Sequence, residues 1–263
     1  MRVAEWMRVA ILTFPAVLVC FVLQAGARAS ALNERVLAAI SEMPEGGDYA
    51  VNRTASAALT SAVEVRNGIL QIQPVRAQPS YCSGATYLVF LMALEAELRK
   101  PALDTCRDAL LSALRVSGQA DGVGVWGRWN ANGPGTAKLF RDAGIGRSFW
   151  GYEEAPLPGD FLKLWWKDAI GKDEHGHSVV FLDYTVSAEG EKGILAWSSN
   201  KPGGYGKKFF PFQKIRHALF SRCEHPERIQ EILKLPVKDS MLADMLRKNF
   251  LLREVKTALT AIP

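Results

Sequence analysis

Cys82 is the residue on which covalent chemistry can be built. It stands in Gln78-Pro79-Ser80-Tyr81-Cys82-Ser83-Gly84-Ala85, and the apolar run that follows continues to Arg99. Proline and serine ahead of such a run mark a helix start, which places Cys82 in the first turn of a buried helix. Free N–H groups and the positive end of the helix dipole favour an anion there, so this thiol should ionise more easily than a free one. A thiolate attacks acyl carbons, but it needs a base and a group that orients the base.

Of the four histidines, His177 is placed best to be that base. It lies directly before the apolar run Ser178–Thr185, at the first position of an expected strand, and shares a face with Val179 and Phe181. A side chain there is held by a rigid element yet sits at the sheet edge, where a cleft can open. His175 lies in a charged turn, and His217 and His225 fall in or near the C-terminal part that reads as helical. An imidazole needs a polar partner to select its tautomer. If Gly193–Ser199 pairs antiparallel with the His177 strand, its end lies beside that strand's start, bringing Asn200 and Ser198 next to His177. Asn200 is the better candidate because its amide oxygen accepts an N–H; the alternative is a plain turn residue before Lys201-Pro202-Gly203-Gly204. Asp183 fits by chemistry but sits about 20 Å away along its own strand, at about 3.3 Å per residue. For the oxyanion, the Cys82 backbone N–H is one donor by position, and the Gln78 side-chain amide is a second candidate.

The elements that must hold these residues follow from periodicity. Leu32–Met43 reads as a helix that stops before Pro44-Glu45-Gly46-Gly47. Tyr49–Gln78 is mixed, with a strand expected within Ile69–Val75. The Cys82 helix ends at Lys100-Pro101, a second helix spans Leu103–Val116, and a short one spans Thr136–Ala143. Between the last two, Gly118–Gly135 reads as a long glycine-rich loop. Trp126 and Trp129 within it either wall a substrate cleft or plug the core from outside, and Ser198 is a further substrate-side candidate. Gly144–Pro158 reads as a linker. Strands are expected at Phe161–Lys167, Ser178–Thr185, Gly193–Ser199 and Lys208–Phe212, with short spacers that imply a mostly antiparallel sheet. Helices followed by strands indicate an α+β domain. From Glu224 the chain reads as helical in two pieces, broken near Pro236.

Composition narrows the function classes. The 263 residues are 48% hydrophobic and 22% charged with a formal net charge of +5, and no lysine or arginine run points to nucleic acid. Arg2 and Arg8 precede an uncharged stretch from Val9 to Ala27, followed by Ala27-Arg28-Ala29 and Ala29-Ser30-Ala31. This is the pattern of a secretory signal peptide over 1–29, the alternative being an uncleaved membrane anchor. Either places the working part outside the cytoplasm. Export leaves Cys82, Cys106 and Cys223, an odd set in which Cys106–Cys223 pairing would leave Cys82 free; the alternative is three buried thiols. No Cys/His cluster suggests a metal, and no cofactor is expected.

Four short motifs in order resemble the NlpC-type cell-wall peptidases and the related CHAP amidases. Cys82-Ser83-Gly84 before an apolar helix resembles their Asp-Cys-Ser-Gly. Pro158-Gly159-Asp160-Phe161 is similar to their Pro-Gly-Asp-Leu, and Gly176-His177-Ser178-Val179 to their Gly-His-Val. Ser198–Asn200 falls where they place a third polar residue. The match spans about Gln78 to Gly206; Tyr81 replaces the usual aspartate, and the insertion between Cys82 and Pro158 is long. The resemblance implies a papain-like fold over 76–215; the helical lead-in over 30–75 and the helical extension over 224–263 are read from periodicity, and the extension has no counterpart in that family. The resemblance also implies a Cys82–His177–Asn200 triad that hydrolyses amide bonds in peptidoglycan or other peptides. The rival classes are an inactive envelope-binding module of the same fold, a disulfide-stabilised structural protein of the envelope in which Cys82 is paired, and a transglutaminase-like acyl transferase.

Overall fold

The computed structural model describes residues 32–151 and 153–260. The expected leader, its cleavage sites, the alternative anchor and Cys20 lie outside the described residues.

A helix over 32–42 (α1) leads to the two-residue strand Gly46–Gly47 (β1). Next come Arg53–Ala62 (α2) and the hairpin Val63–Arg66 (β2) and Ile69–Ile72 (β3). The Asn52 side chain caps α2, accepting from Ala55 N–H at 2.9 Å. Then follow Cys82–Leu98 (α3), Arg107–Leu114 (α4), Gly124–Asn130 (α5) and Gly135–Asp142 (α6). The strands are Gly146–Trp150 (β4), Phe161–Trp165 (β5), Ile170–Gly171 (β6), His177–Val186 (β7), Lys192–Asn200 (β8), Gly204–Pro211 (β9) and His217–Cys223 (β10). A 3-10 stretch at Pro226–Lys234, a short helix Ser240–Asp244 (α7), the strand Asn249–Phe250 (β11) and Leu252–Thr260 (α8) complete the chain.

One seven-stranded sheet, ordered β1-β9-β8-β7-β5-β10-β4, organises the molecule, and its neighbours all pair antiparallel. With helices packed on it this is an α+β fold. α3 is enclosed on almost every side from Ser83 to Leu98, as its apolar composition requires. It packs against β7 and β8, and its core joins Tyr87, Phe90, Trp129, Phe140 and Phe161 in one aromatic cluster. The opposite face of the sheet buries a second cluster, including Leu162, Val179, Ile194 and Phe220.

Several expectations are corrected. The loop expected over Gly118–Gly135 contains α5, and the linker expected over Gly144–Pro158 contains β4. His217 lies in a strand, not a helix. Leu219, Ser221 and Cys223 alternate with Phe220 and Arg222, but all are buried between β4 and β5, which hides the polar–apolar alternation of an outer strand. The C-terminal part is only partly helical: β11 pairs with β6, and Val255 of α8 packs in a core cluster with Trp150 and Trp165.

Asp160 locks this architecture. Its fully buried carboxylate receives Arg222 Nε and Nη2 at 2.9 and 2.7 Å, Asn33 Nδ2 at 2.9 Å and Leu157 N–H at 2.8 Å. One side chain thus joins α1, the turn before β5, and β10. Asp160→Ala would leave the buried Arg222 guanidinium with only Glu154, at 3.0 Å, as counter-ion, so unfolding in denaturant should show a loss of about 3 kcal/mol.

Candidate active site

Cys82 opens α3 as a half-buried free thiol, behind Tyr81, which makes no side-chain cap bond. The first-turn N–H groups therefore have no capping side chain and can serve a ligand. His177 opens β7. Val180 faces Trp197 across β7 and β8, so three residues back along one strand and three forward along the other, His177 lies opposite Asn200. The geometry completes this: His177 Nε2 meets Asn200 Oδ1 at 3.2 Å. The buried Asn200 amide cannot turn over, because Nδ2 donates to Gly206 O at 2.7 Å and Ser198 O at 3.2 Å. Its oxygen must face the imidazole, so His177 Nε2 carries the proton and Nδ1 is left for sulfur.

The thiol responds to this setting. Burial opposes its ionisation, but the imidazole of His177, the ammonium of Lys163 and the backbone N–H of Ser178 together pull Cys82 down to about 6. At neutral pH the Cys82 sulfur is therefore mostly thiolate. The other cysteines differ. Cys106 and Cys223 are also free thiols, which corrects the expected pairing; burial pushes Cys223 well above an ordinary thiol, and its place at the core end of β10 keeps it inert.

A further residue enters that sequence spacing did not single out. The Tyr49 hydroxyl hydrogen-bonds to Cys82, and burial together with the adjacent thiolate holds the phenol well above its ordinary range, so it stays an O–H donor. Main-chain pairing puts it there. Gly46 and Gly47 pair with Tyr205 and Gly204, Ser80 N–H donates to Asp48 O at 3.1 Å, and Ala50 N–H donates to Ser80 O at 2.9 Å. Ser80 is itself tied to the sheet through Ser199 Oγ at 2.7 Å. The only local hint was the Pro44-Glu45-Gly46-Gly47 turn just upstream.

The other expected site residues fall elsewhere. Gln78 lays its side chain across Gly47, where an added Cβ would meet its amide nitrogen at 2.5 Å, and makes no side-chain hydrogen bond among the described residues. Tyr49, not Gln78, is the side chain on Cys82. Trp126 and Trp129 are 3% and 1% exposed and belong to the core, so neither walls a cleft. Trp129 packs on Phe90 and Phe161 and donates to Thr86 Oγ1 at 3.2 Å. Ser198 is fully buried and donates to Ser178 O at 2.6 Å, a clamp between β8 and β7 that leaves nothing for substrate. The aromatic beside His177 is Trp166, partly exposed, with its ring 6.0 Å from the imidazole.

Comparison with known proteins finds no matching family model, no matching curated protein and no matching solved structure.

Proposed function

We propose that this chain is an exported cysteine hydrolase of papain-like fold that cleaves amide bonds in peptidoglycan peptides. One observation carries the hydrolase reading: Cys82, His177 and Asn200 form a continuous thiolate–imidazole–amide chain where a helix N-terminus meets the ends of β7 and β8. The four motifs described above support the substrate class and the papain-like fold, and the N-terminal pattern supports export.

The chemistry follows from the geometry. The thiolate attacks the amide carbon and the carbonyl electrons move to oxygen. The Cys82 backbone N–H and the Tyr49 hydroxyl are the donors for that oxyanion. The imidazolium of His177 gives its proton to the departing nitrogen as the C–N bond breaks, leaving a thioester and a neutral imidazole. His177 then takes a proton from water, the resulting hydroxide attacks the thioester, and the carboxylic acid leaves with the thiolate restored. Asn200 holds the ring in register throughout.

Mass spectrometry of peptidoglycan peptides incubated with the protein tests this reading. New fragments should appear whose masses correspond to hydrolysis at one amide position. An unchanged digest, with Cys82 reactive, would move the substrate to another amide class. Tyr49→Phe removes one oxyanion donor and should lower kcat/KM by about 10²-fold. Because Tyr49 also hydrogen-bonds to the sulfur, alkylation of Cys82 by iodoacetamide is compared at a pH where the thiol is fully ionised in both proteins; there it should not fall, since no oxyanion forms in that reaction, and equal losses in both would assign Tyr49 a packing role instead.

A further inference from the structure

The positive charge beside Cys82 exceeds what the triad supplies. Lys163 lies in β5 directly across from Ser178, the residue after His177, whose backbone N–H reaches the Cys82 sulfur. Gly176, in the left-handed region at φ +74°, lies so close to the lysine stem that an added Cβ would come within 2.8 Å of Cε. The stem is thus held against the turn that precedes His177.

Lys163 is under-partnered. Among the described residues its half-buried ammonium makes one hydrogen bond, to Ser178 Oγ at 3.3 Å, and no ion pair. The carboxylates of Asp121 and Glu174 on this side are engaged elsewhere. Asp121 accepts from Asn130 Nδ2 at 3.1 Å and Asn132 N–H at 3.2 Å, and Glu174 accepts from Gly176 N–H at 3.2 Å. An ammonium carries three N–H donors, so two remain for a ligand. Burial lowers the Lys163 pKa, while Cys82, Asp121 and Glu174 favour its charge. The thiolate is its counter-ion only until acylation: once sulfur is part of a thioester, the ammonium faces a neutral atom in a desolvated site, which is costly unless another anion is present.

We propose that Lys163 binds a free carboxylate on the substrate residue flanking the scissile amide, and so selects acyl groups that carry one. This rests on the hydrolase reading above and sharpens its substrate class.

Two alkylating reagents of nearly equal size test it on the full chain. Iodoacetate carries a carboxylate next to the reacting carbon, and iodoacetamide carries an amide. Both rates scale with the thiolate fraction, so their ratio at one pH cancels any change in the Cys82 pKa and reads the positive site alone. Lys163→Met should lower the iodoacetate-to-iodoacetamide ratio by about tenfold, the scale of one unit charge pair at short range. Lys163→Gln should match it, which covers a methionine variant that folds poorly, and Lys163→Arg should keep the ratio within about twofold because the charge is retained. A ratio unchanged in both neutral variants overturns the carboxylate site and leaves the hydrolase reading intact. A wild-type Cys82 that reacts with neither reagent overturns both.

Discussion

Replacing His177 with alanine is expected to move the pH midpoint of Cys82 alkylation from about 6 to above the ordinary thiol value of about 8.5. The sign follows from the balance of effects on the sulfur. Burial raises the thiol, and the imidazole is the strongest influence lowering it, ahead of Lys163 and the Ser178 N–H. Without the ring, burial dominates. In the wild type the rate should rise through pH 6 and be flat by pH 7. In the variant it should still be climbing at pH 8–9, with the rate at pH 7 lower by about 30-fold as the thiolate fraction falls. Iodoacetamide labelling followed by mass spectrometry gives both curves. Coincident curves would mean that the thiolate owes nothing to His177 and would end the assignment of that residue as base.

Cys82→Ala should abolish amide hydrolysis, a loss of about 10⁶-fold that reaches background, because no other group on the site can form the acyl-enzyme. Cys223 cannot substitute, being buried and protonated. The same variant should still fold. It removes a desolvated anion, which offsets the loss of the counter-ion to Lys163, and leaves Asn200, Ser198 and Ser80 in their hydrogen bonds, so the melting temperature should fall by no more than a few degrees. Activity measured on peptidoglycan peptides, together with a thermal unfolding curve, separates lost chemistry from lost structure. Full activity in the variant would eliminate the thioester route. A wild type as inactive as the variant would favour a binding module.

How far these residues could be read in advance depended on distance along the chain. The helix start at Cys82 is a local signal, written in Pro79, Ser80 and the apolar run to Leu98. The run before Thr185 is equally local and set His177 at a strand's first position. A short turn between β7 and β8 brings the end of β8 beside His177, and a bulge between Phe181 and Asp183 shifts the register by one residue so that Asn200 rather than Lys201 lies opposite. These three were legible because helix period, strand period and a tight turn are short-range rules.

The rest was decided by contacts between distant segments. Tyr49 reaches Cys82 only because Asp48 and Ala50 bond to Ser80, and no periodicity links those positions. Trp126 and Trp129 stand in a glycine-rich stretch that looks exposed, yet α5 turns them into the aromatic core with Tyr87 and Phe90. β4 and β10 lack the alternation that marks a half-exposed strand, because Leu219–Cys223 is buried on both faces and β4 runs from half-buried to buried residues without alternating. Lys163 reads as an ordinary strand lysine until the register sets it across from Ser178. By itself the sequence singled out the candidate nucleophile, base and orienting residue, because each is placed by neighbours within one or two elements. Only the tertiary structure decided which donor meets the thiolate, which cation lies beside it and which aromatics are sealed away, because those depend on surfaces that meet only after the sheet and α3 have packed.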